Sequence, residues 1–206
     1  FGIYTTQTLK STLVDRFIDE LISTENLSPK TVKDILIVLR SILKYVSKQN
    51  PNQPIYLDFS YPKCAKKQMR VLTQEEQLKF INYLNSNLDP CTFGILLSMY
   101  TGLRIGEICA LKWSNISLKD GILQVCQTMQ RLHQTEDTCN KTKVVITSPK
   151  SENSKRIIPL SKSIYTICEQ MIPQDRDTYV LTGTKKYMEP RTLQYRLKKY
   201  ADDCNI

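Results

Sequence analysis

The sequence predicts a mostly α-helical, α+β protein. A helical N-terminal domain precedes a mainly helical second domain that carries a small three-stranded antiparallel sheet. Three observations predict this. Apolar residues recur every three or four positions through the first stretch of the chain. A proline-bearing stretch without periodicity follows. Helical patterns then return, interrupted by short β-branched runs separated by turn residues.

The elements follow in order. Leu9 to Ser23 places Leu13, Val14, Phe17, Ile18, Leu21 and Ile22 on one helical stripe. A second helix begins at Ser28-Pro29, where serine caps free backbone N–H groups and proline suits the first helical position. Its apolar set is Val32, Ile35, Leu36, Leu39, Ile42, Leu43 and Val46, a pattern that holds for about four turns. The other face carries Lys30, Lys33, Arg40, Lys44 and Lys48, and is either solvated or DNA-facing. Pro51, Pro54 and Pro62 then end the periodicity. Residues 1–50 are therefore expected to form one domain, 51–70 a linker and 71–206 a second domain. The linker ends in Lys63, Lys66, Lys67 and Arg70, either an inert tether or a set of phosphate contacts.

Thr73-Gln74-Glu75-Glu76 fits a capping box, with Glu76 reaching back to the cap of a helix running to about Asn85. Pro90 opens another helix, with Phe93, Ile95, Leu96, Leu97, Met99 and Tyr100 as mostly buried positions. Gly102 suits the left-handed turn that ends it. A short helix is expected from about Ile105 to Lys112. Asp120-Gly121 marks a hairpin between Ile116–Leu118 and Ile122–Val125. Further strands are expected over Lys143–Thr147 and Arg156–Leu160, joined by the polar loop Ser148–Lys155. Helices resume at Lys162–Met171 and Pro190–Asp203; the last sets Arg191, Arg196, Lys198 and Lys199 around Leu193, Leu197 and Tyr200.

Composition narrows the function classes. Lysine and arginine total 29 against 20 acidic residues, a net charge of +9, which favours a polyanionic partner. Apolar residues make up 41%, enough for a core in a chain of 206 residues. No apolar run is long enough to cross a membrane, and no leader pattern opens the chain. The cysteines number seven and form no CxxC pair, so reduced, packed thiols of a cytoplasmic protein are expected.

The most informative stretch is Thr101-Gly102-Leu103-Arg104-Ile105-Gly106-Glu107-Ile108-Cys109-Ala110-Leu111-Lys112-Trp113. It resembles the first arginine box of the tyrosine recombinases, the integrases of phages and conjugative transposons. Ser148-Pro149-Lys150 to Ser154-Lys155-Arg156-Ile157-Ile158-Pro159-Leu160 resembles the β-hairpin that carries the family's catalytic lysine. The two matches lie in the family's order and, with the helical N-terminal layout, extend over nearly the whole chain.

The resemblance implies a core-binding domain followed by a catalytic domain. It implies site-specific recombination or integration of double-stranded DNA, through strand cleavage and rejoining with a phosphotyrosyl intermediate. Arg104 would stabilise charge on the nonbridging phosphate oxygens, a task suited to a planar, always-charged guanidinium. Glu107 would orient Arg104. The glycines flanking Arg104, Gly102 and Gly106, would let the backbone turn sharply and approach a ligand. Lys150 would be the general acid at the leaving 5′-oxygen, with Lys155 as its rival. Arg156 would contact backbone phosphate or anchor its strand. Lys63, Lys66, Lys67, Arg70 and Lys155 complete the expected DNA contacts. No metal and no cofactor are implied.

The sequence also departs from the family pattern. The His-x-x-Arg box is absent, and so are the later histidine or tryptophan and the tyrosine nucleophile. The single histidine, His133, lies between the two boxes and is expected on a strand or loop without catalytic part. Tyr195 and Tyr200 are expected as packing residues of the last helix. The expectation is thus a fragment, opening at Phe1 rather than Met and ending about where the second box would begin. It would bind DNA without cleaving it and remain monomeric, whereas four protomers of the intact protein would assemble on DNA. The alternatives are a non-catalytic DNA-binding or accessory protein that retains the fold, and a basic helical scaffold without nucleic acid.

Overall fold

A computed structural model describes residues 8–52, 55–65, 68–134, 141–148 and 154–206. The chain divides into two compact units, Phe1–Arg70 and Val71–Ile206.

The first unit pairs α1 (Ser11–Ser23) with α2 (Pro29–Gln49). Ser28 caps α2, its hydroxyl accepting from the Thr31 N–H at 3.2 Å, and Pro29 follows at the first helical position. Val14 and Leu21 of α1 and Val32, Leu36 and Leu43 of α2 form the buried core. Two residues of the expected stripes, Ile22 and Ile42, are exposed instead. The apolar arc of each helix is wider than the arc it presents to its neighbour, and Ile37, Val38 and Tyr45 of α2 are exposed as well.

The stretch expected as a linker contributes to this unit. Phe59 is buried in the core, with Ile55, Leu57 and Tyr61 packed around it. Arg40 secures the segment: its guanidinium stacks 4.8 Å from Phe59 and 4.7 Å from Tyr61 and donates to the Phe59 carbonyl at 3.3 Å. Each such stacking contributes about 0.5–1 kcal/mol where solvent reaches it. Arg40 thus packs on these rings while remaining exposed; Lys33 also lies over the Tyr61 ring, 5.9 Å from its centroid, and Lys30, Lys44 and Lys48 are exposed.

The second unit opens with α3 (Gln74–Ser86), closed by a capping box in which Thr73 and Glu76 exchange hydrogen bonds of 3.2 and 2.9 Å. Then come α4 (Pro90–Thr101), α5 (Ile105–Ala110) and, among the described residues, one 3₁₀ turn (Trp113–Asn115) and five short strands. Two helices, α6 (Lys162–Met171) and α7 (Pro190–Asp203), complete it. Helix α4 is buried from Cys91 to Leu97, although Tyr100 near its end is exposed. The core gathers α4, α5, Trp113, Leu123 and Val125 with Ile164, Val180, Leu181 and Leu193. Trp113 stacks on Phe93 with the rings 5.4 Å apart and nearly parallel at 4°. Arg176 donates to the carbonyls of Trp113 and Ile116, which secures this turn.

The strands differ from the expected arrangement. One antiparallel sheet has three strands: β1 (Ile116–Ser117), β2 (Ile122–Val125) and β5 (Arg156–Pro159), in the order β1-β2-β5. The strand β4 (Thr142–Thr147) is not part of it. It pairs with β3 (Thr128–His133) in a separate two-stranded sheet, with Met129 opposite Ile146. The composition of β3, Thr-Met-Gln-Arg-Leu-His, is mostly polar and hid it from a periodicity reading; only Met129 is buried. β4 and β5 therefore belong to different sheets and do not pair with one another. Arg131 on β3 reaches Glu189 at the start of α7 with two nitrogens, at 2.5 and 3.1 Å. His133 ends β3 and is exposed. Among the described residues no helix is long and apolar enough to cross a membrane.

Candidate active site

The site grows from the end of α4. Gly102 adopts φ +65°, a left-handed conformation that costs glycine little and turns the chain sharply. Leu103 then enters the core, and Arg104, in extended conformation, becomes the cap of α5. The backbone N–H of Arg104 donates to Glu107 Oε2 at 2.8 Å, closing the first turn of the helix. The Arg104 side chain points outward and is 73% exposed.

Glu107 is the centre of the arrangement. It is buried, with 4% of its side chain exposed, and its carboxylate accepts four hydrogen bonds. Arg104 supplies the backbone bond and a second from Nη1 to Oε1 at 3.0 Å. Arg156, on the first position of β5, supplies a parallel pair: Nη1 to Oε1 at 3.0 Å and Nη2 to Oε2 at 2.8 Å. A carboxylate has about four lone-pair sites, so Glu107 is saturated. Burial raises the Glu107 carboxyl pKa, but the bonds from Arg156 and from the backbone and side chain of Arg104 outweigh this and bring it down to about 2. The same bond raises the Arg156 pKa.

Two guanidiniums around one carboxylate leave one net positive charge. Arg156 is 29% exposed and grips Glu107 with both terminal nitrogens. Arg104 gives one guanidinium nitrogen to Glu107, its sole bond partner among the described residues. The surplus charge therefore lies on the solvent-exposed Arg104 side chain. Such a group suits a phosphate whose charge grows during reaction.

Gly106 is tightly enclosed. A Cβ placed there would lie 2.6 Å from the Met129 carbonyl oxygen and 2.6 Å from Thr128 Oγ1. The close approach allowed by this glycine is to strand β3, in place of the expected ligand.

The other expected residues are spread more widely. Lys155 is exposed and lines, with Arg156, Gln124 and Cys126, an open groove of about 530 Å³ along β2 and β5. Lys63 and Arg70 are exposed in the first unit. Lys66, Lys67 and Lys150 lie outside the described residues. Tyr195, expected in the packing of α7, is 61% exposed and accepts a hydrogen bond from Arg191 at 3.1 Å. Tyr200 does pack, with its ring 6.0 Å from that of Tyr83. Leu197 of the expected stripe is exposed, and Leu193 alone of α7 is buried. Sequence reasoning did not find the grip of Arg156 on Glu107: the two lie 49 residues apart and leave no spacing signature.

The model of the phage integrase family matches residues 70–206, which includes every element of the site. The chain belongs to the phage integrase family. Among curated relatives of this integrase-family chain, a tyrosine recombinase XerC-like protein of Caldanaerobacter subterraneus subsp. tengcongensis is 24% identical over 184 residues. That match covers 85% of this chain and 46% of the relative. The ICEBs1 integrase of Bacillus subtilis is 25% identical over 175 residues, covering 82% and 44%. The chain thus spans about half the length of the curated relatives it matches. In fold it is similar to the Tn1549 transposon integrase in complex with a circular intermediate DNA, at TM-score 0.72 and 16% identity over 96% of this chain and 65% of that one. It is also similar to a lambda integrase dimer bound to a COC′ core site, at TM-score 0.63 and 16% identity over 97% and 64%.

Proposed function

We propose that the chain is the DNA-binding and phosphate-clamping part of a site-specific tyrosine recombinase. The observation that carries this reading is the outward Arg104 guanidinium, held at its base by a saturated, buried Glu107. In the proposed reaction of the intact protein, a tyrosine oxygen forms a bond to phosphorus as the bond to the 5′-oxygen breaks. One phosphoester replaces another, so no energy cofactor and no metal is needed. Arg104 stabilises the negative charge that gathers on the nonbridging oxygens. Lys150, with Lys155 as the alternative, delivers the proton to the leaving 5′-oxygen.

Arg156 acts chiefly by anchoring its strand and Glu107, the alternative that its bidentate bond favours over phosphate contact. Lys63, Lys66, Lys67, Arg70 and Lys155 contact backbone phosphate, which makes affinity salt-dependent. The first unit serves as a core-binding domain on double-stranded DNA, and the second is part of a catalytic domain. By itself the chain contains no His-x-x-Arg box, so it is proposed to bind DNA as a monomer without cleaving it. Four protomers of the intact protein are proposed to assemble on two DNA sites.

The test is formation of a covalent protein–DNA complex by the intact recombinase. Arg104→Ala should bind DNA nearly normally and lose cleavage; normal cleavage by that variant would falsify the assignment. Cleaved, protein-linked DNA from the chain by itself would remove the claim that it only binds.

A further inference from the structure

Resting on that reading of Arg104, we infer that Gly106 and strand β3 form a seat that sets the position of the Arg104 turn. Gly106 is a positioning residue in this scheme and Arg104 the residue it positions.

The observation is the contact between α5 and β3. The backbone carbonyl of Met129 and the hydroxyl of Thr128 each lie 2.6 Å from where a Cβ of residue 106 would stand. Contacts of that length are repulsive, and one of them is to backbone, which no rotamer change relieves. Something must move when a side chain is added. Strand β3 resists movement at this point. The Met129 side chain is buried in the main core, and Met129 pairs with Ile146, which packs against the same core. Thr128 is fixed by pairing with Thr147. The start of α5 is the more open side: Arg104 and Ile105 are both exposed, and Arg104 is fixed by the two bonds it donates to Glu107, the residue after Gly106, and by those its carbonyl accepts from the Glu107 and Ile108 N–H groups. A displacement at position 106 therefore passes directly to Arg104 and to the carboxylate that orients it.

The two holds on Arg104 are of different kinds. Arg156 acts through charge on Glu107; β3 acts through contact on Gly106. Reacting groups must be placed closely for the chemistry, and a misplacement of about 1 Å can cost 10²-fold in rate. DNA binding, spread over many phosphate contacts, is far less sensitive to one such shift.

The experiment uses the intact recombinase and measures single-turnover formation of the covalent complex together with DNA affinity. Gly106→Ala is expected to slow cleavage on the order of 10²-fold while DNA affinity is unchanged. Combined with Arg104→Lys, which leaves a charge without the planar fork, Gly106→Ala should add little further loss, because it acts through the same group. A loss of folding would be additive and would lower DNA affinity too. Thr128→Val, which puts a methyl where the hydroxyl meets Gly106, should repeat the pattern more weakly and serves if Gly106→Ala does not fold. Cleavage at the wild-type rate in Gly106→Ala, or equal losses in the two Arg104 backgrounds, overturns the inference. Undiminished cleavage by Arg104→Lys overturns instead the reading on which it rests.

Discussion

The first turn of α5 and the start of β5 each send one guanidinium to the same carboxylate, and they use it in opposite ways. Arg156 comes to Glu107 from β5 and closes both terminal nitrogens on it, largely out of solvent. Arg104 comes from the cap of its own helix, gives one guanidinium nitrogen, and leaves the rest of its side chain exposed. The charge and chemistry of the two are identical. Their difference in burial and valence separates a residue that holds the fold from one that, in the proposed function, faces the phosphate. Glu107 is what makes the division possible: one arginine neutralises it, and the other is oriented by it without being neutralised.

Replacing Arg104 with Ala in the intact protein should cut cleavage by roughly 10²–10³-fold, the scale for one lost donor at a developing oxyanion. Thermal stability should hardly change, since the side chain is 73% exposed. Calorimetry beside the cleavage assay separates the two readouts; a large drop in melting temperature would place Arg104 with Arg156 as a structural residue. Lys150→Ala should slow cleavage by about 10²-fold, the usual worth of a general acid. DNA carrying a sulfur at the 5′ leaving position, which departs without a proton, should restore it. Restoration in Lys155→Ala instead would exchange the two lysines.

Arg156→Ala should act in the other currency. It removes two of the four bonds on a buried carboxylate, and breaking such pairs costs about 3–5 kcal/mol. Urea denaturation of the 206-residue chain measures this. The residual bonds from Arg104 put the expected loss near the lower end, and Glu107→Gln in the same background should recover part of it.

A pH series sharpens the point. The folded Glu107 carboxyl titrates at about 2, below its ordinary 4.5. Its contribution to stability is therefore fully present above pH 4.5 and fades as pH falls toward 2. Glu107→Gln should flatten acid unfolding in that window, and an unchanged acid profile would contradict the ion-pair account. The smallest effect belongs to Lys155→Ala. It should lower the salt dependence of DNA affinity by about one phosphate contact, read from affinities measured over a salt series.

Much of this was readable in the sequence, for reasons that differ element by element. The capping box at Thr73, the Ser28-Pro29 start and the Gly102 turn are local: the residues that make them are neighbours in the chain. Helix α2 is periodic over many positions, while α4 is an apolar run buried on all sides from Cys91 to Leu97; both signals lie within one stretch of chain. What failed was non-local. Strand β3 is polar and carries one buried side chain, so nothing in its own residues announces a strand; its partner β4 does. The pairing of β4 with β3 in turn removed the expected hairpin. Phe59 lies in a proline-bearing stretch without period, yet with Ile55, Leu57 and Tyr61 it packs that stretch onto the core of the first unit. Within the site, Arg104 and Glu107 share one turn and were read together. The part played by Arg156 emerged only when folding brought β5 to α5.

The stacked pair of Trp113 and Phe93 gives the molecule a natural optical probe. Trp113 is the only tryptophan of the chain, is 2% exposed, and belongs wholly to the second unit. Its emission should shift to the red on unfolding, and it reports that unit alone. Far-ultraviolet dichroism, by contrast, sums the helices of both. Following the two signals through one denaturant titration lets each unit be seen to melt on its own, without cutting the chain or adding a dye.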